Sequence, residues 1–385
     1  MKTLAIPQTS LLAACLYSIL ATAGLFYVNL GGAFLSAFVD GLDIGRDQAG
    51  FIVSANKYGA AFGALIATFL VKALPWRRSA AVLLVLMVII DAISSQVSDP
   101  QNLIAIRFLH GTVGGISVGF GLSVIARTVN PDRIFGMLLA VQYSFGSLGI
   151  WFVPRLVESF GYISVFAVLS MFSIMTLLLL PFIPEVAKSK SSNSKAKINF
   201  SFLLVFALIA LFLFQSSNMG IADYAFELGK DINLVNTEIS NILTVANIIS
   251  ISGGILVYII GTKYGRTAPL VLGISISAIF TFMLHYSDNI TIYFIANTVT
   301  GIAWAFVIPY ILGLCSSFDS HGQMATLAGF ISKVGLATGP LIGALLIVSN
   351  GFGLIINLAT VALIMAAILI FFASKNTKIH HDKNT

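Results

Sequence analysis

The sequence predicts an all-α integral membrane protein with twelve transmembrane helices, arranged as two six-helix bundles in a parallel pseudo-twofold repeat. Three observations predict it: an extremely apolar composition, the number of long apolar stretches, and an internal repeat. Of the 385 residues, 58% are hydrophobic and only 9% are charged, whereas a soluble domain carries about 25% charged residues. So few charges could not cover a soluble fold of this size. The composition also excludes a disordered, nucleic-acid-binding or disulfide-linked secreted chain.

The chain contains twelve apolar stretches of the length that a bilayer-spanning helix needs, about 20 residues. A single lysine precedes the first stretch, which is much longer than the core of a signal peptide, so we expect this span to be retained. The stretches lie near 10–38, 48–72, 79–97, 102–127, 135–157, 162–181, 201–226, 238–260, 268–286, 290–316, 323–348 and 352–373.

A polar segment divides these spans six and six. We expect an N-terminal bundle at 1–181, a flexible cytoplasmic linker at 182–199, and a C-terminal bundle at 200–385 that ends in a short cytoplasmic tail. If the N-terminus is cytoplasmic, 15 of the 21 Lys and Arg residues lie on the cytoplasmic side. The positive-inside rule therefore predicts that both termini are cytoplasmic. The net charge of +6 is then a signal of topology.

Glycine and basic landmarks recur at a spacing of about 190 residues, which favours two halves that run in the same direction. Parallel repeats of this kind are typical of secondary transporters, whose halves rock around a site near the membrane midplane. The aligned landmarks are Gly63 with Gly253, Gly111 with Gly301, Gly149 with Gly339, Gly161 with Gly351, and Trp76–Arg78 with Gly265–Thr267 to within one residue.

Five short motifs match a known family. The segments 73–78 and 262–266 lie where that family has its D-R-x-G-R-R loops, and each keeps only part of the pattern. The segment 107–111 matches an R-x-x-Q-G element, 131–133 a P-E-R turn, and 335–343 a G-x-x-x-G-P-x-x-G helix. With these motifs the chain resembles the major facilitator superfamily over essentially its whole length. Residues 54–63 are also similar to the YbfB/YjiJ-like bacterial branch.

The resemblance implies a secondary transporter of the bacterial inner membrane that works by alternating access. It also implies that the two partly matching loops act as conformational switches, through Arg77, Arg78, Lys263 and Arg266. Span 5, at residues 145–154, lacks the paired glycines of the family's drug antiporters. We therefore expect proton-coupled uptake of a small organic solute, with a proton-coupled drug or metabolite efflux antiporter as the alternative.

Two lysines are predicted near the membrane midplane. Lys57 and Lys333 each lie about ten residues, or roughly 15 Å, into a span. A charge in hydrocarbon costs about 2.5–3.5 kcal/mol even on the most lenient scale, so each lysine needs a reason. In the family fold these spans line the interface between the halves. The lysines therefore indicate an anionic substrate such as a carboxylate, although a snorkelling or paired structural lysine is the alternative.

Asp91, Arg107 and His110 are predicted to meet in the N-terminal half, because the turn between spans 3 and 4 brings them to similar depth. The simplest interpretation is a buried Asp91–Arg107 ion pair, since an unpaired charge there would be costly. The alternative is a coupling site at which Asp91 or His110 takes up a proton.

Amide and aromatic side chains in the cavity-lining spans of the family fold complete the candidate substrate site. Amides in such spans can bind substrate or hold helices together, and membrane aromatics are often packing residues. The candidates are Asn29, Gln215, Asn218, Tyr143, Trp304 and Tyr310.

The sequence contains no nucleotide-binding loop, no metal-ligand cluster and no set of catalytic groups. We therefore expect no enzyme activity, no cofactor and no nucleic acid partner. The expected partners are the lipid bilayer, a small-molecule substrate and, as coupling ion, protons, and we expect a monomer. A channel or receptor is the alternative from another class.

Overall fold

The computed structural model describes residues 6–128, 131–186, 202–261, 263–318 and 323–381. The chain divides into two compact units, Met1–Asn193 and Ser194–Thr385. Helices of the first unit are α1 (Leu11–Ala23), α2 (Phe26–Asn29), α3 (Gly31–Leu42), α4 (Arg46–Ala73), α5 (Trp76–Ser94), α6 (Pro100–Ile125), α7 (Pro131–Phe160) and α8 (Ile163–Leu179).

The second unit is built in the same way. Its helices are α9 (Phe202–Asp223), α10 (Ala225–Asp231), α11 (Asn236–Ile260), α12 (Thr267–Met283), α13 (Ile290–Ser316) and α14 (Gln323–His381). Gly351 interrupts α14 with φ +60°, so this element comprises two apolar segments, Leu327–Ile347 and Gly351–Ser374.

Within the described residues, nine helices are long and apolar enough to cross a membrane. The other three predicted spans are helical as well: 48–72 lies in α4 and 79–97 begins in α5. The predicted span near 10–38 is not one continuous helix, because it breaks after Ala23 and again at Leu30. At the first break, a Cβ on Gly24 would lie 2.1 Å from the carbonyl oxygen of Gly114, so α1 passes α6 in backbone contact.

Glycines set the helix spacing in both units. In the first unit, a Cβ on Gly63 would lie 2.0 Å from the carbonyl oxygen of Thr112, so α4 and α6 touch along their backbones. In the second unit, a Cβ on Gly339 would lie 2.4 Å from the backbone nitrogen of Gly220, which joins α14 to α9. Small residues allow this approach in membranes, where van der Waals packing replaces the hydrophobic effect as the force between helices.

Candidate functional site

An ion pair lies in the core of the N-terminal unit. Arg107 Nη1 on α6 is 2.7 Å from Asp91 Oδ1 on α5, and both side chains are completely buried. The same nitrogen donates to Ser94 Oγ over 3.2 Å. The guanidinium carbon lies 5.5 Å from the ring centre of Tyr27 and 5.3 Å from that of Phe166. Aromatic faces therefore cover a cation for which Asp91 is the one carboxylate partner among the residues that the structure describes.

Asn56 on α4 fixes the state of His110. Its Nδ2 donates to the carbonyl oxygen of Arg107 over 3.1 Å and lies 2.9 Å from His110 Nδ1. A carbonyl can only accept, which orients the amide so that its second N–H faces Nδ1. His110 is therefore a neutral imidazole with its proton on Nε2, and Nε2 lies 3.3 Å from Asp91 Oδ1.

The cluster is only partly satisfied. Asp91 Oδ2, His110 Nε2 and the Nε and Nη2 atoms of Arg107 are buried without a hydrogen-bond partner among the described residues. An unpaired buried donor or acceptor costs about 1–3 kcal/mol. The arrangement thus brings the three predicted residues together in one buried cluster.

The C-terminal unit brings together two of the predicted substrate residues. Trp304 Nε1 on α13 donates to Gln215 Oε1 on α9 over 2.7 Å, and Gln215 Nε2 donates to Ser332 Oγ on α14 over 2.6 Å. Lys333 follows Ser332 and is half-buried. No described residue forms a hydrogen bond or ion pair with its ammonium group. The three helices are therefore linked by a buried polar chain whose last residue directly precedes Lys333 in α14.

Lys57 differs from Lys333 in its surroundings. It is 2% exposed in the middle of α4, and it interacts with other groups of the protein. Its side chain is therefore buried and, unlike that of Lys333, has a partner among the described residues.

The other predicted substrate residues hold helices together. Asn29 Nδ2 donates to the carbonyl oxygen of Gln142 over 3.2 Å. Asn218 donates to the carbonyl oxygen of Phe214 over 2.8 Å and accepts from Ser277 Oγ over 3.1 Å.

Two of the predicted tyrosines belong to different units. The Tyr310 hydroxyl donates to the carbonyl oxygen of Gly261 over 2.6 Å, at the end of α11. Tyr143 lies half-buried in α7. Tyr143 therefore belongs to the other unit from Gln215, and the hydroxyl of Tyr310 is used at the end of α11.

Arg77 is fixed by the segment that follows α8. Its Nε is 3.0 Å from Glu185 Oε1, and its two terminal nitrogens donate to the carbonyl oxygens of Leu180 and Ile183 over 2.7 and 2.6 Å. Trp76 Nε1 donates to the other oxygen of Glu185 over 3.2 Å. The predicted flexible linker at 182–199 thus begins with residues that are held on the N-terminal unit. Residues 187–199 lie outside the described residues.

The other predicted switch residues make fewer contacts. Arg78 and Lys263 are exposed. Arg266 precedes the first residue of α12 and lies beside Gly313 of α13. Gly265 has a φ of +69°, a value that favours the glycine found there.

Asn56, Ser94 and Ser332 belong to these polar groups, although the sequence analysis did not single them out as site residues. Each is a small polar residue in an apolar helix, a type that is common at helix contacts. Asn56 and Ser332 carried a signal in the sequence, because they directly precede Lys57 and Lys333. Among the described residues, no group of three His, Cys, Asp or Glu side chains could hold a metal ion.

Comparisons with solved structures agree with this architecture. The chain is similar to the nucleoside transporter NupG, in a point-mutant form, with TM-score 0.72 and 13% identity over 94% of this chain and 98% of that one. It is similar to a D-xylose–proton symporter with TM-score 0.70 and 15% identity over 94% and 96%. It is also similar to the human organic anion transporter MFSD10 (TETRAN), with TM-score 0.65 and 16% identity over 93% and 97%.

The family comparison is the decisive one. No curated protein matches the sequence, and the resemblance to the YbfB/YjiJ-like branch stays a prediction. The model of the Major Facilitator Superfamily, however, matches residues 14–317, which is more than half of the chain. With its apolar helices and its transporter-like fold, the protein is a multi-pass integral membrane transporter, not an enzyme, and it belongs to the Major Facilitator Superfamily.

Proposed function

We propose that this transporter moves a small organic anion, such as a carboxylate, by alternating access, and that uptake is coupled to protons. The observation that carries the proposal is Lys333. Its ammonium group lies half-buried in the apolar segment Leu327–Ile347, and no described residue neutralises it. Such a charge is costly in a membrane unless it faces a cavity or a partner. A bound anion would offset that cost.

The neighbouring polar chain supports a binding role for this part of the C-terminal unit. Trp304, Gln215 and Ser332 carry an indole, an amide and a hydroxyl that are linked by hydrogen bonds, and Ser332 directly precedes Lys333. These groups can orient a carboxylate by hydrogen bonding, while the lysine supplies the charge. Lys57, Asn29, Asn218, Tyr143 and Tyr310 remain further candidates for substrate contact. By their names, one structural neighbour is a proton symporter and another is an organic anion transporter.

Proton coupling is assigned to the N-terminal cluster. Asp91 Oδ2 is an open acceptor beside Arg107 and neutral His110, so a proton could be bound there without a new partner. We also propose that the protein lies in a bacterial inner membrane with both termini cytoplasmic and that Arg77, Arg78, Lys263 and Arg266 act in the conformational change.

Uptake into proteoliposomes tests the substrate class. A panel of radiolabelled carboxylates, organic cations and neutral sugars is supplied with an imposed pH gradient at fixed membrane potential. We expect one carboxylate to accumulate, and Lys333→Met to reduce its uptake by about tenfold or more, which corresponds to about 1.4 kcal/mol. Lys333→Arg should retain part of the uptake. Lys195→Met, which removes a lysine of the polar segment between the two halves, is the matched control.

A neutral or cationic preferred substrate, transported at full rate by Lys333→Met, contradicts the anion proposal. Accumulation that ignores the pH gradient but follows a sodium gradient contradicts proton coupling alone.

A further inference from the structure

The surface of the C-terminal unit contains an apolar groove between α12 and the last segment of α14. The groove has a volume of about 890 Å³, within the range of pockets that hold drug-sized ligands, roughly 300–1,000 Å³. Small side chains form its floor, namely Ser275, Ala278 and Ala367, and Phe282, Ile368 and Phe372 are among its walls. The groove therefore exists because small residues lie between large ones on two neighbouring helices.

The groove opens to the hydrocarbon of the bilayer. Both of its helices are membrane-spanning, and the walls Phe282, Ile368 and Phe372 are each about half exposed. On α12 it extends from Val271 to Met283, a rise of about 18 Å at 1.5 Å per residue. One leaflet of hydrocarbon is about 15 Å thick, half of the usual 30 Å. The groove thus matches a single extended acyl chain in length.

One end of the groove is basic. Consecutive spans alternate in direction, so the start of α12 lies at the same membrane face as the end of α14. The exposed Lys263 precedes α12, and the sequence after Phe372 continues with Lys375 and Lys378. The sequence contains no acidic residue between Glu238 and Asp288 or between Asp319 and Asp382. Basic residues beside a membrane helix attract anionic lipid headgroups.

We propose that this groove is a binding site for an anionic phospholipid, with an acyl chain between α12 and α14 and the headgroup at the basic end. The proposal concerns the lipid-facing surface and is independent of the substrate. Filling the floor should expel the chain, because a phenylalanine at Ser275 would occupy the space that the acyl chain needs.

Lipid retention by the purified full-length protein tests this site. The delipidated protein is incubated with phosphatidylglycerol or phosphatidylcholine of identical acyl chains, and bound lipid is counted by native mass spectrometry. A diazirine-bearing acyl chain maps the contact by cross-linking. We expect phosphatidylglycerol to be retained preferentially, cross-links to fall on α12 and on 351–374, and Ser275→Phe to lower retention about tenfold, or about 1.4 kcal/mol.

Two further variants keep the test interpretable. Ile368→Trp fills the groove from an exposed wall without disturbing the core, so it should act like Ser275→Phe even if the latter folds poorly. Val85→Phe introduces the same phenylalanine side chain on the exposed face of α5 in the other unit and should leave retention unchanged. Four results would each overturn the proposal. They are cross-links spread evenly over the protein, equal retention of both lipids, unchanged retention in both groove variants, and a groove that is covered by a second copy of the chain.

Discussion

The two halves of the molecule share a backbone plan but differ in their buried charges. In each unit, a glycine at the corresponding position approaches a neighbouring helix: Gly63 meets the carbonyl oxygen of Thr112, and Gly253 meets that of Ile302. Gly161 and Gly351 both adopt positive φ, +71° and +60°. The repeat therefore preserves the places where helices touch and where the chain turns.

The buried charges do not follow the repeat. At the same spacing of about 190 residues, the positions that correspond to Asp91, Arg107 and His110 are occupied by Thr281, Asn297 and Thr300. Asn297 and Thr300 donate to carbonyl oxygens of their own helix, each over 2.8 Å. The C-terminal unit thus forms with neutral side chains at these three positions, and its ion pair between Lys230 and Glu227 lies elsewhere, on α10. The fold therefore does not require charged residues at the positions of Asp91 and Arg107, and we propose that they serve proton coupling.

Breaking the ion pair should give the largest difference between the halves. We expect Asp91→Asn and Arg107→Gln each to lower stability by about 3–5 kcal/mol, because each leaves an uncompensated buried charge. The double variant should recover part of the loss, since the two changes are coupled. Thermal unfolding in detergent measures both effects. Asn297→Ala in the C-terminal half is the control and should cost only about 1 kcal/mol. Strictly additive losses at Asp91 and Arg107 would argue against a direct pair.

The fold could be predicted from the sequence, because apolar stretches, repeated glycines and loop motifs are all visible in the order of the residues. The break of the first span was not predicted, because the contact at Gly24 involves Gly114, which is distant in sequence. Asp91 and Arg107 were predicted as partners because one short turn joins their spans, but the partners of the other polar residues were not predicted. Nothing in the sequence links Gln215 to Ser332, or Asn56 to His110, because side-chain partners on different helices depend on helix rotation.

Glycine contacts sharpen the comparison at one repeat position. A Cβ on Gly111 would lie 1.9 Å from the carbonyl oxygen of Asn56, whereas a Cβ on Gly301 would lie 2.2 Å from the side-chain oxygen of Ser250. A backbone oxygen cannot move away without shifting a helix, but a serine hydroxyl can rotate. Gly111→Ala should therefore cost about 1–3 kcal/mol, and Gly301→Ala clearly less, in thermal unfolding. Equal losses would show that the backbone contact is not the cause.

Removing Asn56 tests how the charged cluster is held. The corresponding residue of the C-terminal half is Ala246, which is buried and has no polar side-chain atom that needs a partner. Asn56→Ala should cost about 1–2 kcal/mol, because the carbonyl of Arg107 and Nδ1 of His110 both lose a donor. Imidazole nitrogen shifts in NMR should show the proton on Nε2 in the wild type and a mixture of tautomers in Asn56→Ala. A wild-type proton on Nδ1 would rule out the proposed amide orientation.

The turn glycines should give the smallest effect, and the same effect in both halves. A Cβ on Gly161 or Gly351 would meet nothing within 4 Å, so an alanine there suffers no clash and only the strain of positive φ. That strain costs about 1–2 kcal/mol for a residue with a Cβ. Gly161→Ala and Gly351→Ala should therefore lower thermal stability by similar amounts. The control is Gly254→Ala, because a Cβ there is also unobstructed but the residue lies within helix α11. This variant should be neutral or slightly stabilising. A loss of thermal stability at only one of the two turns would mean that positive φ is strained in one half and not in the other. The two halves would then differ in their turns as well as in their buried charges.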